Sequence, residues 1–152
     1  MPNSQNGVMQ ILLVEDNPGD IRLTQEALKE GDIQNVLHVV KDGVEAMEFL
    51  RKKDKYSEMP TPDIILLDLN LPRKDGREVL ADIKTDENLK MIPVIVLTTS
   101  DTDQDIIKSY KLHANCFITK PVDLELFIFI IQQIQTFWFK VIKLPPKNNN
   151  HF

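Results

Sequence analysis

The chain has 152 residues, of which 42% are hydrophobic and 27% charged, enough for one domain with a real core and against global disorder. Its 18 basic and 23 acidic residues leave a net charge of −5, a field unsuited to holding nucleic acid or an anionic membrane. One cysteine, Cys116, excludes an intramolecular disulfide and a cysteine-rich zinc module.

Residues 1–7 are polar, read as a disordered N-terminus, and carry no secretory signal. No stretch reaches the roughly 20 apolar residues of a membrane span, although 124–144 comes near it. A small cytoplasmic domain is therefore expected. Met9-Gln10-Ile11-Leu12-Leu13-Val14 is an almost unbroken apolar run, suited to a strand buried on both faces. Glu15-Asp16-Asn17-Pro18 breaks it, and Ile21, Leu23, Thr24 and Leu28 follow at helical spacing up to Gly31, a C-cap candidate. Residues 36–40 form a second strand, and Asp42-Gly43 turns into a helix through Val44, Met47, Phe49 and Leu50.

Residues 52–62 are charged, hold two prolines and read as an exposed loop. Strand three is 63–68, and a turn-rich piece, 70–76, enters a helix through Val79, Leu80 and Ile83. Strand four is 93–98. Helix four spans 102–114, with Thr102 and Asp105 spaced as a capping box. Strand five is 115–119, followed by Lys120-Pro121; the last helix runs over about 123–143 until Pro145-Pro146. Five βα repeats imply an α/β fold with a parallel sheet covered on both faces by right-handed crossovers. The functional crevice of such a sheet lies beyond the carboxyl ends of its strands.

Those ends carry Glu15 and Asp16 after strand one, Asp68 after strand three, Thr98 on strand four and Lys120 after strand five. If strands one and three are neighbours, three carboxylates converge, and their mutual repulsion calls for a cation. Clustered hard oxygens suit Mg²⁺. A hydroxyl and an ammonium at the same rim match the remaining oxygens of a phosphoryl group, with the Asp68 carboxylate as the nucleophile. Each residue also has an ordinary reading. Glu15 and Asp16 would favour a helix N-terminus, Asp68 would suit a turn, and Lys120-Pro121 would serve as a strand exit. His38 and His113 lack partners at metal spacing and read as structural. The coincidence of compatible residues at four of five strand ends favours the functional reading.

The sequence resembles the receiver domain of two-component response regulators over about residues 10–143. The resemblance rests on Glu15-Asp16, on Asp68 within Leu66-Leu67-Asp68-Leu69-Asn70-Leu71-Pro72, and on Gly76, Thr98 and Lys120-Pro121. The stretch Asp75-Gly76-Arg77-Glu78-Val79-Leu80, together with Val96-Leu97-Thr98-Thr99-Ser100 and the long 52–62 loop, is similar to the stand-alone regulators that partner bacterial, cyanobacterial-type phytochrome histidine kinases. The resemblance implies a flavodoxin-like doubly wound sheet of order 2-1-3-4-5 with five helices, the last one extended. It implies a receiver over 8–144 and a polar tail over 145–152. Asp68 becomes the phosphoacceptor, and Glu15, Asp16, Asp68 and the Asn70 backbone carbonyl become the ligands of Mg²⁺. The Asn70 side chain would tune the lifetime of the acyl phosphate. Lys120 would pair with phosphoryl oxygens, and its bond to Pro121 is commonly cis in the family. Thr98 and Phe117 would form the switch. Glu15 stands where Asp is also frequent, and Phe117 stands in place of Tyr, so no phenolic hydroxyl reports the switch.

The last helix carries Leu124, Phe127, Ile131, Ile134, Trp138 and Val141 on one stripe and Leu126, Phe129, Ile130, Phe137 and Ile142 off it. One stripe covers the sheet, and the surplus marks an interface. We expect a homodimer through the last helix and strand five, involving Phe127, Phe129, Ile130, Phe137 and Trp138. With no output domain in the sequence, the expected function is a phosphorylation-controlled interaction switch, slowly losing its phosphate, and not a turnover enzyme. It would take phosphate from a sensor histidine kinase and touch neither nucleic acid nor membrane. Asp68-Leu69-Asn70 mimics part of a dehalogenase-type phosphatase motif, but that family places its nucleophile after the first strand and adds a lid domain. A flavin or nucleotide domain would need a Gly-rich first turn, which Glu15-Asp16-Asn17-Pro18 is not.

Overall fold

The five apolar runs become five parallel strands in a computed structural model that describes residues 8–31, 33–99, 102–120 and 123–138. In chain order the elements are β1 (Met9–Val14), α1 (Pro18–Lys29), β2 (Asn35–Val40), α2 (Gly43–Leu50) and a 3₁₀ turn (Asp54–Tyr56). They continue with β3 (Ile64–Leu67), α3 (Gly76–Thr85), β4 (Val94–Thr98), α4 (Asp103–Lys111), β5 (Cys116–Thr119) and α5 (Leu124–Thr136). The sheet order is β2-β1-β3-β4-β5, as the resemblance implied.

Strand alternation divides the core in two. Leu12, Val14, Ile65, Leu67, Val94 and Val96 face Ala46, Met47, Phe49 and Leu50 of α2 and Val79, Leu80 and Ile83 of α3. Their sequence neighbours Ile11, Leu13, Ile64, Leu66, Ile95 and Leu97 face Ile21, Ala27 and Leu28 of α1 and Phe127, Ile131 and Ile134 of α5. The period of two thus sends successive side chains to opposite faces, which is why these strands read as unbroken apolar runs.

Each helix begins where a polar side chain satisfies a free N–H. Asn17 accepts from Asp20 ahead of α1, with Pro18 at the first helical position. Asp42 accepts from Glu45, and Asp123 from Glu125 and Leu126. Asp75 and Glu78 form a reciprocal capping box at α3. At α4 Thr102 accepts from the Asp105 N–H as the spacing predicts. The Asp105 carboxylate, however, takes a two-pronged grip from Arg77 of α3, with both N···O distances 2.8 Å.

Four expectations change. Gly31 does not cap α1, because Glu30 does; a Cβ at Gly31 would stand 1.7 Å from Gln135 Oε1, so the residue serves close packing against α5. The 52–62 loop is not wholly exposed. Tyr56 is buried, its ring tilted against that of Phe49 with centroids 5.2 Å apart and its hydroxyl donating to Glu45. Phe127 leaves the interface set, being 3% exposed among the core residues beneath α5. Leu124, placed on the buried stripe, is 50% exposed. The expected helix end near residue 143, the prolines at 145–146 and the tail lie outside the described residues. Among the described residues no helix is long and apolar enough to cross a membrane.

Candidate functional site

β1 and β3 are paired so that Val14 lies beside Leu67, and the next residues bring Glu15, Asp16 and Asp68 together. One oxygen from each lies within 4.8 Å of the others. At an effective dielectric of about 20, two unit charges at that distance repel by about 3 kcal/mol. Glu15 and Asp68 are buried and Asp16 is exposed, so burial adds a desolvation cost to that repulsion.

Lys120 enters from the far side of the sheet. Its backbone N–H bonds the Thr98 carbonyl at 2.7 Å, which pins the exit of β5 to the end of β4. From there Nζ donates to Glu15 Oε1 at 2.5 Å, Asp20 Oδ2 at 2.8 Å and Asp68 Oδ2 at 3.3 Å. The other Asp68 oxygen, Oδ1, accepts from the Thr98 hydroxyl at 2.6 Å and the Asn70 N–H at 3.2 Å. Burial pushes the Glu15 carboxyl up to about 7, against the opposing pull of Lys120. Burial works to neutralise Lys120 as well, but its hydrogen bonds to Asp20 and Glu15 outweigh that and hold it protonated above its ordinary range.

The loop after Asp68 is held from both ends. Leu69 is fully buried, and its carbonyl accepts from the N–H groups of Leu71 and Gly76. A Cβ at Gly76 would stand 2.3 Å from the Asp68 carbonyl oxygen, and one at Gly43 2.0 Å from that of Lys74. Only glycine lets α3 and α2 approach the loop this closely. Arg73, with φ at 66°, reaches back to Asp42 at 3.2 Å.

The structure thus brings together Glu15, Asp16, Asp68, Thr98 and Lys120. It sets the Asn70 N–H on Asp68, while the Asn70 side chain is exposed. Phe117 is partly buried against the α2–α3 core. Pro121, and with it the Lys120–Pro121 bond, lies outside the described residues. Asp20 is a member of the cluster that sequence reasoning missed. Its signal was its place four residues after Asp16, on the first turn of the helix leaving the strand end. The oxygens at Glu15, Asp16 and Asp68 are hard and at a separation one divalent cation can bridge, so the residues fit such an ion.

A parallel 2-1-3-4-5 sheet with this cluster at its switch point belongs to the response regulator receiver domain family, which matches residues 11–132. Members bind a divalent metal in the acidic pocket and act as switches of two-component systems, with a histidine kinase as partner. Among curated relatives, Response regulator Rcp1 of Synechocystis sp. is 49% identical over 145 residues, covering 95% of this chain and 99% of its own. The crystal structure of the Mn²⁺-bound form of Rcp1 superposes with a TM-score of 0.87 at 50% identity, covering 90% of this chain and 99% of that one. The phosphorylated cyanobacterial phytochrome response regulator RcpA superposes with a TM-score of 0.88 at 52% identity, covering 90% and 98%. The chain is therefore a receiver-type response regulator homologous to phytochrome-associated regulators.

Proposed function

We propose that Asp68 accepts a phosphoryl group from the phosphohistidine of a phytochrome-type sensor kinase, and that the phosphorylated chain acts as an interaction switch in the cytoplasm. The observation that carries this reading is the convergence of Glu15, Asp16, Asp68, Thr98 and Lys120 on one point. Asp68 Oδ2, with one longer contact against two on Oδ1, is the freer oxygen and the one we assign as nucleophile. It forms the P–O bond as the P–N bond breaks, the electron pair leaving with the imidazole nitrogen. Lys120 takes up charge on the transferred oxygens, and the Thr98 hydroxyl turns to the product.

Mg²⁺, held by Glu15, Asp16, Asp68 and the Asn70 carbonyl, would neutralise charge on the phosphoryl oxygens. Phe117 would repack as Thr98 moves. Slow loss of phosphate to water resets the switch. A homodimer is proposed through α5 and the edge strand β5, with Phe129, Ile130, Phe137 and Trp138 on the shared face. It is supported by the exposure of Leu126, Phe129 and Phe137, at 46%, 55% and 48%. No nucleic-acid or membrane partner is proposed.

The test is phosphotransfer profiling against a panel of phosphorylated histidine kinases that includes phytochrome kinases, with Asp68→Ala as control. The reading expects rapid transfer from phytochrome kinases and none to the variant. Equal labelling of the variant would overturn the site, and transfer only from unrelated kinases would overturn the partner.

A further inference from the structure

We infer that Asp20 is a positioning residue for phosphoryl transfer: it occupies, at the mouth of the site, the Lys120 N–H that a phosphoryl group on Asp68 takes up. This rests on the reading of Asp68 as phosphoacceptor. An ammonium has three N–H donors, and Glu15, Asp20 and Asp68 are three carboxylates within reach of Nζ. Lys120 therefore meets an incoming phosphoryl group with its donors engaged, and one partner must yield.

The three partners are not equivalent. Glu15 and Asp68 have side chains 3% and 9% exposed, whereas that of Asp20 is 28% exposed. Releasing Glu15 would leave a carboxylate buried without its cation, at a large desolvation cost. Asp68 is itself the acceptor. Asp20 can exchange its bond to Lys120 for water, so it is the partner that yields at least cost.

Its backbone is meanwhile held still, the N–H on Asn17 Oδ1 at 2.9 Å and the carbonyl accepting from the Thr24 hydroxyl at 2.8 Å. The first turn of α1 thus presents the carboxylate at a set place. Asp20 is also the more exposed of the pair, 28% against 5% for Lys120, so its charge repels an anionic donor that comes to Lys120 from solvent. Occupation of Lys120 and repulsion of the donor act in the same direction: both weaken binding of the donor more than they alter the bond-making step.

The experiment compares the wild-type chain with Asp20→Asn and Asp20→Ala, measuring acetyl phosphate uptake over a range of donor concentrations at saturating Mg²⁺. Both variants should lower the KM for acetyl phosphate by about three- to tenfold, the span of one partly exposed charge-assisted contact, with a smaller change in the saturating rate. The difference from wild type should shrink as salt is raised, because the donor is repelled through solvent. Asn keeps the size and the backbone bonds of Asp20, so it reports even if Ala weakens α1. An unchanged KM in both variants overturns the role of Asp20. So does a change confined to Mg²⁺ affinity, which would assign Asp20 to the metal. An Asp20→Asn, Asp68→Asn double variant must take up no phosphate; uptake there would overturn the phosphoacceptor reading itself and leave a separate signature.

Discussion

Both ends of the sheet bury charged side chains, but they use them differently. At the amino ends of the strands Asp63 accepts from the Gln10 N–H at 2.8 Å while its own N–H bonds the Gln10 carbonyl, joining the starts of β1 and β3. Lys84 donates to the carbonyls of Lys90 and Ile92 at 3.0 and 2.8 Å and to Asn115 Oδ1 at 3.2 Å, and Asn115 in turn accepts from the Val94 N–H. Those groups fix backbone in place. At the carboxyl ends the charges meet one another: Glu15, Asp20 and Asp68 gather around Lys120, and Asp16 lies beside Glu15 and Asp68. One ammonium does not neutralise that set. A charge satisfied by backbone stabilises the fold and has nothing left to offer a ligand, whereas charges left in excess hold capacity for a cation and a phosphoryl group.

Removing the central cation should break that contrast most severely. Lys120→Ala leaves Glu15 and Asp68 buried without their cation and should cost about 3 kcal/mol or more in metal-free buffer. Millimolar Mg²⁺ should then stabilise the variant more than it stabilises the wild type, as thermal unfolding with and without the ion would read. Equal stabilisation would mean that Lys120 and the metal do not share the same charges.

Gly76→Ala should come next. Its Cβ, 2.3 Å from the Asp68 carbonyl oxygen and 2.6 Å from Leu69 Cα, meets backbone that cannot rotate away. A loss of about 2 kcal/mol in denaturant unfolding is expected, with phosphate uptake slowed because Asp68 itself is displaced. Normal uptake in a folded Gly76→Ala protein would show that the loop accommodates the methyl without moving the acceptor.

Lys84→Ala sharpens the comparison from the other end. It removes a donor from two carbonyls and should cost about 1–2 kcal/mol while leaving the rate of acetyl phosphate uptake as it was. A stability loss accompanied by an equal loss of uptake would erase the division of labour between the two ends.

The architecture was legible because the central strands are buried on both faces, which turns them into apolar runs too short for helices and bounded by turn residues and amphipathic stretches. Glu15, Asp16, Asp68, Thr98 and Lys120 were legible because each closes a strand, and parallel strands deliver their ends to one edge. Asp20 escaped because an acidic residue in a first turn already has an ordinary explanation in the helix dipole. The Arg77–Asp105 clamp joins residues 28 positions apart and leaves no local pattern. Tyr56 was hidden in a charged loop, and its burial depends on Phe49 and Glu45, which belong to another element. On α5, Phe127 and Phe129 differ by about 200° around the axis, so one reaches the core and the other solvent. Apolar content alone does not separate them.

The most direct test of the site is the mass of the intact chain after incubation with acetyl phosphate and Mg²⁺, wild type against Asp68→Asn. The wild type should gain one phosphoryl group, lost again on chelation and prolonged incubation, and Asp68→Asn should gain none. A phosphoryl group on the Asn variant at the wild-type level would contradict the assignment of Asp68 and with it the use proposed for the charged end of the sheet.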